Sequence, residues 1–510
     1  MSESAPPAIP RTGLLLLLAA ILVAAACAII YELLIGTTSS YFLGDSVEQF
    51  SLTIGFFLFA MGLGSWGSRL IARDLLARLV ALEIWLGLLG GSTVAILYLA
   101  YVFTPHFRYW MLVLTMAIGV LIGLEVPLLT RILRGYGSLR TILANVLSLD
   151  YLGALLAALL FPYVLMPALG SLHTAALAGL LNVLAGASIL ICFRHQLRPR
   201  SRRWLAAQVG VVTLALAGLL AAAGPLLRQW EDALYAGRIV HSEQSPYQRI
   251  VLTQWRGSIR LFLDGHLQFA AVDQHRYHES LVHPAMALTP NRERILIIGG
   301  GDGLAAREVL RYPDVRQIDL VDIDPAVTAL GRRNVYVTDL NDNALNDERV
   351  RVRNEDGFIY LQREHVPYGV IIMDLPDPRE EALAKLYSVA SYRLCRRHLS
   401  PGGLLVTQAT SPYFAREAYW SIAATLEAAG LRVLSYHAYV PSFGEWGFHL
   451  AGREAPSPDV LRFEVPLRFL DPALFRNMLR FDPDMARLEV APNRLDRPLL
   501  AHYYREGWKE

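Results

Sequence analysis

"ILIIGGGDGLAAREVL", residues Ile295 to Leu310, is the stretch on which the reading of this chain turns. An apolar run enters a glycine-rich turn and leaves as a helix. That is the layout by which backbone N–H groups at a helix N-terminus hold an anionic phosphate. Yet Asp302 sits inside the turn. A buried carboxylate repels a phosphate, so the loop is suited to a ligand that carries positive charge. Strand and helix patterns alternate on either side: "RILIIGG", "REVL", "RQIDLVDID", a helix after Pro325, then "YGVIIMD" and "GLLVTQA". This alternation predicts a Rossmann-like, doubly wound α/β domain over 291–455. Ligands of such sheets bind beyond the carboxyl ends of the strands. Acids gather at those ends: Asp302, then Asp322 and Asp324, then Asp356 after "RVRVRN", then Asp374 and Asp377.

Upstream, "RIVLTQW" and "SIRLFLDGHLQF" are interrupted by Arg256-Gly257 and Asp264-Gly265. These are hairpin signals, and they predict a small N-terminal β-hairpin subdomain over 229–290. Earlier still the composition changes. The chain of 510 residues is 54% hydrophobic, above the roughly 45–50% of soluble chains, and its mean hydropathy is +0.35. The excess lies between Leu14 and about Gly224. About seven segments there approach the ~20 residues needed to cross a bilayer, near 14–36, 48–70, 79–103, 109–132, 142–166, 171–193 and 204–226. An α-helical membrane bundle of about seven transmembrane helices over 1–228 follows, in a cell (inner) membrane. The first segment is too long for a cleaved signal peptide. Arginines follow the second, fourth and sixth segments (Arg69, Arg73, Arg78; Arg131, Arg134, Arg140; Arg194 to Arg203). By the positive-inside rule those exits are cytoplasmic; seven crossings would then place the soluble part outside, and one crossing more or fewer would reverse that, so its side stays open. Glu32, Glu125, Asn145 and Asp150 fall within apolar helices, as a polar path or as interhelical hydrogen bonds. Residues 456–510 form a C-terminal extension with helix character and no legible motif, a cap on the sheet or a dimer contact. A net charge of +2 makes no case for nucleic acid, and Cys27, Cys192 and Cys395 have neither disulfide nor zinc spacing.

The strand-end acids suggest a ligand. Asp322 stands where an acid accepts hydrogen bonds from a ribose diol. Asp356-Gly357 lies where an adenine amino group is read, and Asp302 faces a positive group. Together they point to a cationic sulfonium nucleoside such as S-adenosylmethionine or a relative. Asp374 and Asp377, in "MDLPDP", add two carboxylates, one of which can take a proton from an attacking amine.

"SPYQRIVLT", "LFLDGHLQF", "YHESLVHPAM", "GGGDG", "VDIDP", "NEDG" and "DLPDP" occur in that order between about residues 238 and 452. They resemble the motifs of the spermidine synthase (polyamine aminopropyltransferase) family, whose sheet is of the methyltransferase type. "YELLIGTTSSYFLGDS" and "FLFAMGLGS" resemble its multi-pass, membrane-fused members. The resemblance implies transfer of an aminopropyl group from decarboxylated S-adenosylmethionine, as co-substrate, to a polyamine, with putrescine as the default acceptor. It implies no prosthetic group, no metal and a homodimer. By resemblance Asp302 holds the aminopropyl arm, Gln248 and Asp322 the nucleoside, and Asp356 with Gly357 the adenine. Asp374 is the general base. Tyr277 and His278 position the amines, with Asp377 and Gln408 nearby.

The chain departs from the soluble pattern in places. Asp322 replaces a glutamate, Gln274 a glutamate and Leu304 a glycine. Arg379-Glu380-Glu381 replaces Gly-Pro-Ala, and "VPSFGEWGF" an aromatic segment near the acceptor. Trp446 and Phe448 either wall that channel or pack the core. Two other readings stay open: a methyltransferase, disfavoured because Asp302 repels the carboxylate of S-adenosylmethionine, and a non-catalytic sensor or transporter.

Overall fold

Gly299, Gly300 and Gly303 of the quoted loop have φ of +82°, +64° and +83°. A Cβ on Gly299 would lie 2.0 Å from the Asp374 carbonyl oxygen, so glycine is demanded twice, by dihedral and by space. The structure, a computed structural model, describes residues 11–44, 46–134, 138–235 and 237–508. Contacts divide the chain into two compact units, Met1–Tyr235 and Ala236–Glu510.

In the second unit the loop follows β5 (Arg294–Gly299). Before it come β1 (Arg238–Gln244), β2 (Arg249–Trp255), β3 (Ser258–Leu263) and β4 (His266–Ala270). These four pair antiparallel in the order β1-β2-β3-β4. Arg256 and Gly257, then Asp264 and Gly265, all have positive φ, as two-residue type I′ turns require. Ile250, Leu252, Ile259 and Leu261 pack this sheet on Leu304, Val327 and Leu330 of the larger domain. After β5 follow β6 (Gln317–Asp322), β7 (Val350–Asn354), β8 (Tyr368–Asp374), β9 (Leu399–Gln408), β10 (Arg432–Val440) and β11 (Gly444–Gly452). The seven-stranded order is β10-β11-β9-β8-β5-β6-β7. Strands β5 to β9 run parallel, while β11 is antiparallel to both β9 and β10. The sheet is therefore mixed, and the β10–β11 hairpin is an addition to the doubly wound pattern.

Successive residues of β5 serve opposite faces. Leu296 and Ile298 join Ile371, Met373 and Leu405 on one side. Ile295 and Ile297 join Leu281, Val309 and Ile318 on the other. Burying each such side chain contributes about 1.5–3 kcal/mol, which makes β5 the rigid centre from which the glycine loop projects. Strand order reverses at β5, whose neighbours are β6 and β8. That is the switch point where crevices open in such sheets. Residues beyond 456 belong to the same unit. The buried Glu279 carboxylate accepts from the backbone N–H groups of Arg468, Phe469 and Leu470 at 2.8, 2.8 and 2.9 Å.

In the first unit, six helical stretches are long and apolar enough to cross a membrane: Gly13–Leu43, Ser46–Leu70, Leu75–Phe103, Phe107–Leu133, Arg140–Cys192 and Pro199–Leu227. The sequence led us to expect seven. The fifth, of 53 residues, spans two expected segments because helix continues through a π turn at Phe161–Leu165. It is not straight. Gly170 has φ 71° and ψ 176°, and the Thr174 hydroxyl donates to the Leu165 carbonyl at 3.3 Å. Nine residues of straight helix span about 13.5 Å, so the chain turns back at Gly170. Close packing within the bundle uses glycine: a Cβ on Gly87 would meet the Gly179 carbonyl at 2.6 Å, and one on Gly123 the Met61 carbonyl at 2.1 Å. Of the four polar residues expected inside, Glu125 is buried, Glu32 and Asp150 are half-buried, and Asn145 is exposed. A fifth, Glu83, was not foreseen. It is buried and accepts from Asn182 Nδ2 at 3.1 Å, and Asn182 Oδ1 accepts from the Tyr31 hydroxyl at 3.4 Å.

Candidate active site

Four of the acids foreseen at strand ends, Asp302, Asp322, Asp324 and Asp356, are placed by backbone N–H groups, a consequence of short polar side chains following an apolar strand. Asp302 Oδ1 accepts from Leu304 N at 2.8 Å. Asp322 accepts from Gly301 N at 3.0 Å and Asp324 N at 2.9 Å. The glycine loop lies between two carboxylates. A Cβ on Gly301 would meet Asp322 Oδ2 at 2.5 Å, and one on Gly300 would meet Asp374 Oδ2 at 3.1 Å. A side chain at either position would crowd the flanking carboxylate.

Asp374 ends β8 beside the loop. Its Oδ1 accepts from the Tyr277 hydroxyl at 2.9 Å, and its Oδ2 lies 4.0 Å from His278 Nε2. Burial, then the Asp302 charge, pushes the Asp374 carboxyl up to about 7, against the Tyr277 hydrogen bond. Burial pushes Asp302 and Asp322 each up to about 6. Among the described residues no Lys or Arg forms an ion pair with any of the three. Burial, reinforced by Arg307, drives His278 down to about 3, so it is neutral. Its Nδ1 lies 2.8 Å from the Gln274 carbonyl, which can only accept, so Nδ1 carries the proton. Nε2 is left with a lone pair beside Asp374. Tyr277 and His278 come from one helix, Gln274–Leu288, and the Tyr277 ring meets Phe448 and Phe443 at 5.5 and 6.0 Å.

The remaining candidates are brought near but are engaged. Gln248 Nε2 donates to Asp324 Oδ2 at 3.0 Å, as Ser245 Oγ does at 2.6 Å. Gln248 thus reaches the turn after β6 through a second acid, Asp324, which caps the helix Pro325–Arg333. Asp356 caps the helix Gly357–Gln362 and receives Lys385 Nζ at 2.6 Å. Lys385 with the cap holds its carboxyl below the usual range, although burial opposes this. Asp377 accepts from Gln408 Nε2 at 3.4 Å and from the Tyr504 hydroxyl at 2.9 Å. Gln408 also donates to the Leu375 carbonyl at 2.8 Å. Phe448 is a core residue, stacked on Tyr436 at 5.4 Å, and the buried Trp446 lies against Phe443 at 4.9 Å. His283 is structural, bonded to Tyr312 and Glu308 at 2.9 Å each.

Sequence reasoning passed over Lys385 and Tyr504, and it noted Asp324 at its strand end without giving it a role. Lys385 and Tyr504 lie 29 and 127 residues from their carboxylate partners, too far for a local pattern to pair them. The second acid of "VDIDP" was in view, and its place ahead of Pro325 is a cap signal.

A doubly wound α/β domain with buried acids gathered at its switch point, none of them ion-paired to Lys or Arg among the described residues, is of the class suited to positively charged ligands. Comparison with known proteins narrows the class. Residues 274–457 match the Spermine/spermidine synthase domain. The chain is 46% identical over 487 residues to polyamine aminopropyltransferase 2 of Ralstonia nicotianae, covering 94% of this chain and 95% of that one. It is 42% identical over 482 residues to the polyamine aminopropyltransferase of Leptospira interrogans, covering 94% and 96%. A crystal structure of spermidine synthase with the transition-state analogue AdoDATO aligns with TM-score 0.45 and 24% identity, over 48% of this chain and 86% of that one. The chain belongs to the polyamine aminopropyltransferase family and is an aminopropyltransferase. Since the relatives align over 94% of it, the apolar N-terminal half is shared with them.

Proposed function

We propose that this protein transfers the aminopropyl group of decarboxylated S-adenosylmethionine to an amine of a polyamine and releases methylthioadenosine. The observation that carries this reading is the set of three buried carboxylates, Asp302, Asp322 and Asp374, with no Lys or Arg ion-paired to them among the described residues. Buried charge is retained only where something pairs it, and a sulfonium nucleoside with a terminal ammonium has two positive charges and a diol to offer. Asp302 takes the aminopropyl ammonium, and Asp322 the ribose hydroxyls. Gln248 steadies the turn after β6 through Asp324. Asp356 and Gly357 border the adenine, with Asp356 held by Lys385.

The acceptor enters as an ammonium and must lose a proton before its nitrogen has a lone pair. Asp374, at about 7, is ionised often enough to take that proton at neutral pH. Tyr277 orients the carboxylate, and the His278 Nε2 lone pair accepts a second N–H of the amine. The freed nitrogen attacks the aminopropyl carbon attached to sulfur. The C–N bond forms, the C–S bond breaks and its electron pair returns to sulfur, giving a neutral thioether. Asp377 and Gln408 hold the rest of the acceptor, a diamine such as putrescine.

The first unit is proposed to be a membrane bundle of seven crossings. The reversal at Gly170 supports two crossings within Arg140–Cys192. With arginine-rich exits cytoplasmic, the catalytic unit then lies on the other face. Single cysteines in a cysteine-free background, one after Arg198 and one in the catalytic unit, should label from opposite sides; labelling from one side removes the seven-crossing topology. For the reaction, the detergent-purified protein is given decarboxylated S-adenosylmethionine and a panel of di- and polyamines. Amine-dependent release of methylthioadenosine is expected. Donor binding without release from any amine would overturn the catalytic reading.

A further inference from the structure

The C-terminal helix Leu500–Gly507 has no role in the reaction derived above, yet one of its side chains enters the site. Leu500, Ala501 and Tyr504 form its buried face. The Tyr504 hydroxyl donates to Asp377 Oδ2 at 2.9 Å, in a pair where both residues are more than nine-tenths buried. The helix is firmly held. A Cβ on Gly507 would lie 2.5 Å from the Phe414 carbonyl, and Trp508 stacks on Phe414 at 4.9 Å. The strand of chain leading to it is anchored by buried Asn493, whose Nδ2 donates to the Ala384 and Tyr387 carbonyls at 2.8 and 3.2 Å. Asn493 Oδ1 in turn accepts from Leu500 N at 3.4 Å. A tyrosine fixed this closely is not a surface group that happens to reach a carboxylate.

We infer that Tyr504 is a positioning residue for the acceptor: its hydroxyl, delivered by the C-terminal helix, fixes the Asp377 carboxylate and keeps it ionised to receive an acceptor ammonium. The inference rests on the aminopropyl-transfer reading and assigns to the C-terminal segment a part in choosing the amine. Every group that faces Asp377 fits this role. Gln408 donates from the end of β9 at 3.4 Å. Tyr387 hydrogen-bonds Gln408 at 2.6 Å and, like Tyr277, lies within electrostatic reach of Asp377. Arg379, on the same loop, places its guanidinium beside the Tyr504 hydroxyl, with Asp264 beyond it. Burial pushes Asp377 up to about 7, and the hydrogen bonds from Tyr504 and then Gln408 oppose that rise. The Asp377 charge at neutral pH therefore depends on its neutral donors. In "REE", where the soluble pattern has small residues, Arg379 shields the far side of the tyrosine, so Tyr504 and the altered loop form one wall.

The test compares Tyr504→Phe with Trp508→Ala and the unaltered protein, full-length and in detergent. Trp508→Ala loosens the helix while leaving the hydroxyl in place. Loss of one donor to a buried carboxylate moves its pKa by about one unit or more. Tyr504→Phe should raise the acceptor KM about tenfold at pH 7, with donor KM unchanged and kcat within about threefold. The acceptor KM should recover above about pH 8.5, where Asp377 ionises without help. Trp508→Ala should lower the melting temperature without moving the pH profile. An unchanged acceptor KM in Tyr504→Phe, or the same loss at every pH, or the same profile in both variants, overturns the role. If the unaltered protein turns over no amine, the aminopropyl-transfer reading itself has failed. In that case Tyr504→Phe must still weaken binding of the diamine alone, measured calorimetrically, for the carboxylate contact to stand.

Discussion

Replacing Tyr277 by phenylalanine removes one oxygen and leaves a ring of the same shape among Phe443, Phe448 and His278. That hydroxyl is the one side-chain donor within hydrogen-bond range of Asp374 among the described residues, since His278 Nε2 is 4.0 Å away and unprotonated. A hydrogen bond to a charged group contributes about 1.5–3 kcal/mol, and a pKa unit corresponds to about 1.4 kcal/mol. The carboxyl that burial has pushed to about 7 should therefore rise a further one to two units. At pH 7 its ionised fraction drops from about one half to about 1–10%, a loss of roughly 5–50-fold in the proton-accepting form. The sign is set by chemistry: a base must be ionised, so activity falls on the acid side, and the variant's acid limb moves to higher pH. Bound donor lowers the limb in both proteins through its sulfonium charge, so the difference between them is the measure. Methylthioadenosine release at saturating donor from pH 5.5 to 9.5 gives both limbs. An acid limb that stays in place or moves downward, or a loss uniform across pH, would refute the assignment of Asp374 as the base held by Tyr277.

Other perturbations bear on neighbouring parts of the same reasoning. Asp302→Asn leaves the donor ammonium facing a neutral amide. Breaking one side of a buried charge pair is worth about 3–5 kcal/mol, so donor KM should rise about 10²-fold or more, while discrimination against S-adenosylmethionine weakens. The same change removes a charge that raises the Asp374 pKa, so its acid limb should move to lower pH. Asp374→Asn should abolish turnover yet raise the melting temperature at pH 8. Its folded pKa lies above the unfolded value, so the ionised form destabilises, with the penalty growing between about pH 4 and 7. A gain of about a third of that size is expected at pH 5, and a gain equal at both pH values would show that the carboxylate is not buried as described. Glu279→Gln removes half the capacity to accept the three N–H groups of Arg468, Phe469 and Leu470. One or two buried donors then go unmet at about 1–3 kcal/mol each, which a thermal melt should register as a drop of several degrees with both KM values unchanged.

What the sequence disclosed, and what it withheld, divides along a physical line. Strand-end acids were legible because strand, turn and capping rules are local. An apolar run that stops at Asp374 or Asp322 declares both the strand and the direction of its end. The two-residue hairpins were legible for the same reason, since Arg256-Gly257 and Asp264-Gly265 state their dihedrals in their composition. Partners distant in the chain were not. Lys385 on Asp356, Tyr504 on Asp377 and Asn182 on Glu83 are set by tertiary packing, and no periodicity encodes them. The antiparallel β10–β11 hairpin was missed because "VPSFGEWGF" reads as an aromatic loop until Phe443 N closes its turn on Val440 O at 2.8 Å. The break between the fifth and sixth apolar segments was read from composition, between 166 and 171, and Gly170, where the chain turns, lies within it; what composition did not show is that the chain stays helical through Pro162.

Among the described residues no Lys or Arg forms an ion pair with Asp302, Asp322 or Asp374, and this ties fold to chemistry. A crevice that held its own lysine would be more stable empty and would bind a cationic donor less well, because that lysine would have to be displaced. Here the carboxylates are desolvated at the β5–β8 switch point and restrained by one or two neutral N–H or O–H donors each, which orient a carboxylate without neutralising it. On the proposed reading, the domain gives up stability at rest, and a doubly cationic donor would restore it by mass action. The same field would select among donors. A ligand that differs by a carboxylate on the aminopropyl arm brings a negative charge to Asp302, at a distance where the dry surroundings screen little. Discrimination then comes from repulsion of the wrong donor as well as attraction of the right one. The proposed donor thus gives a reason for an aspartate standing in a glycine loop whose geometry would otherwise suit a phosphate.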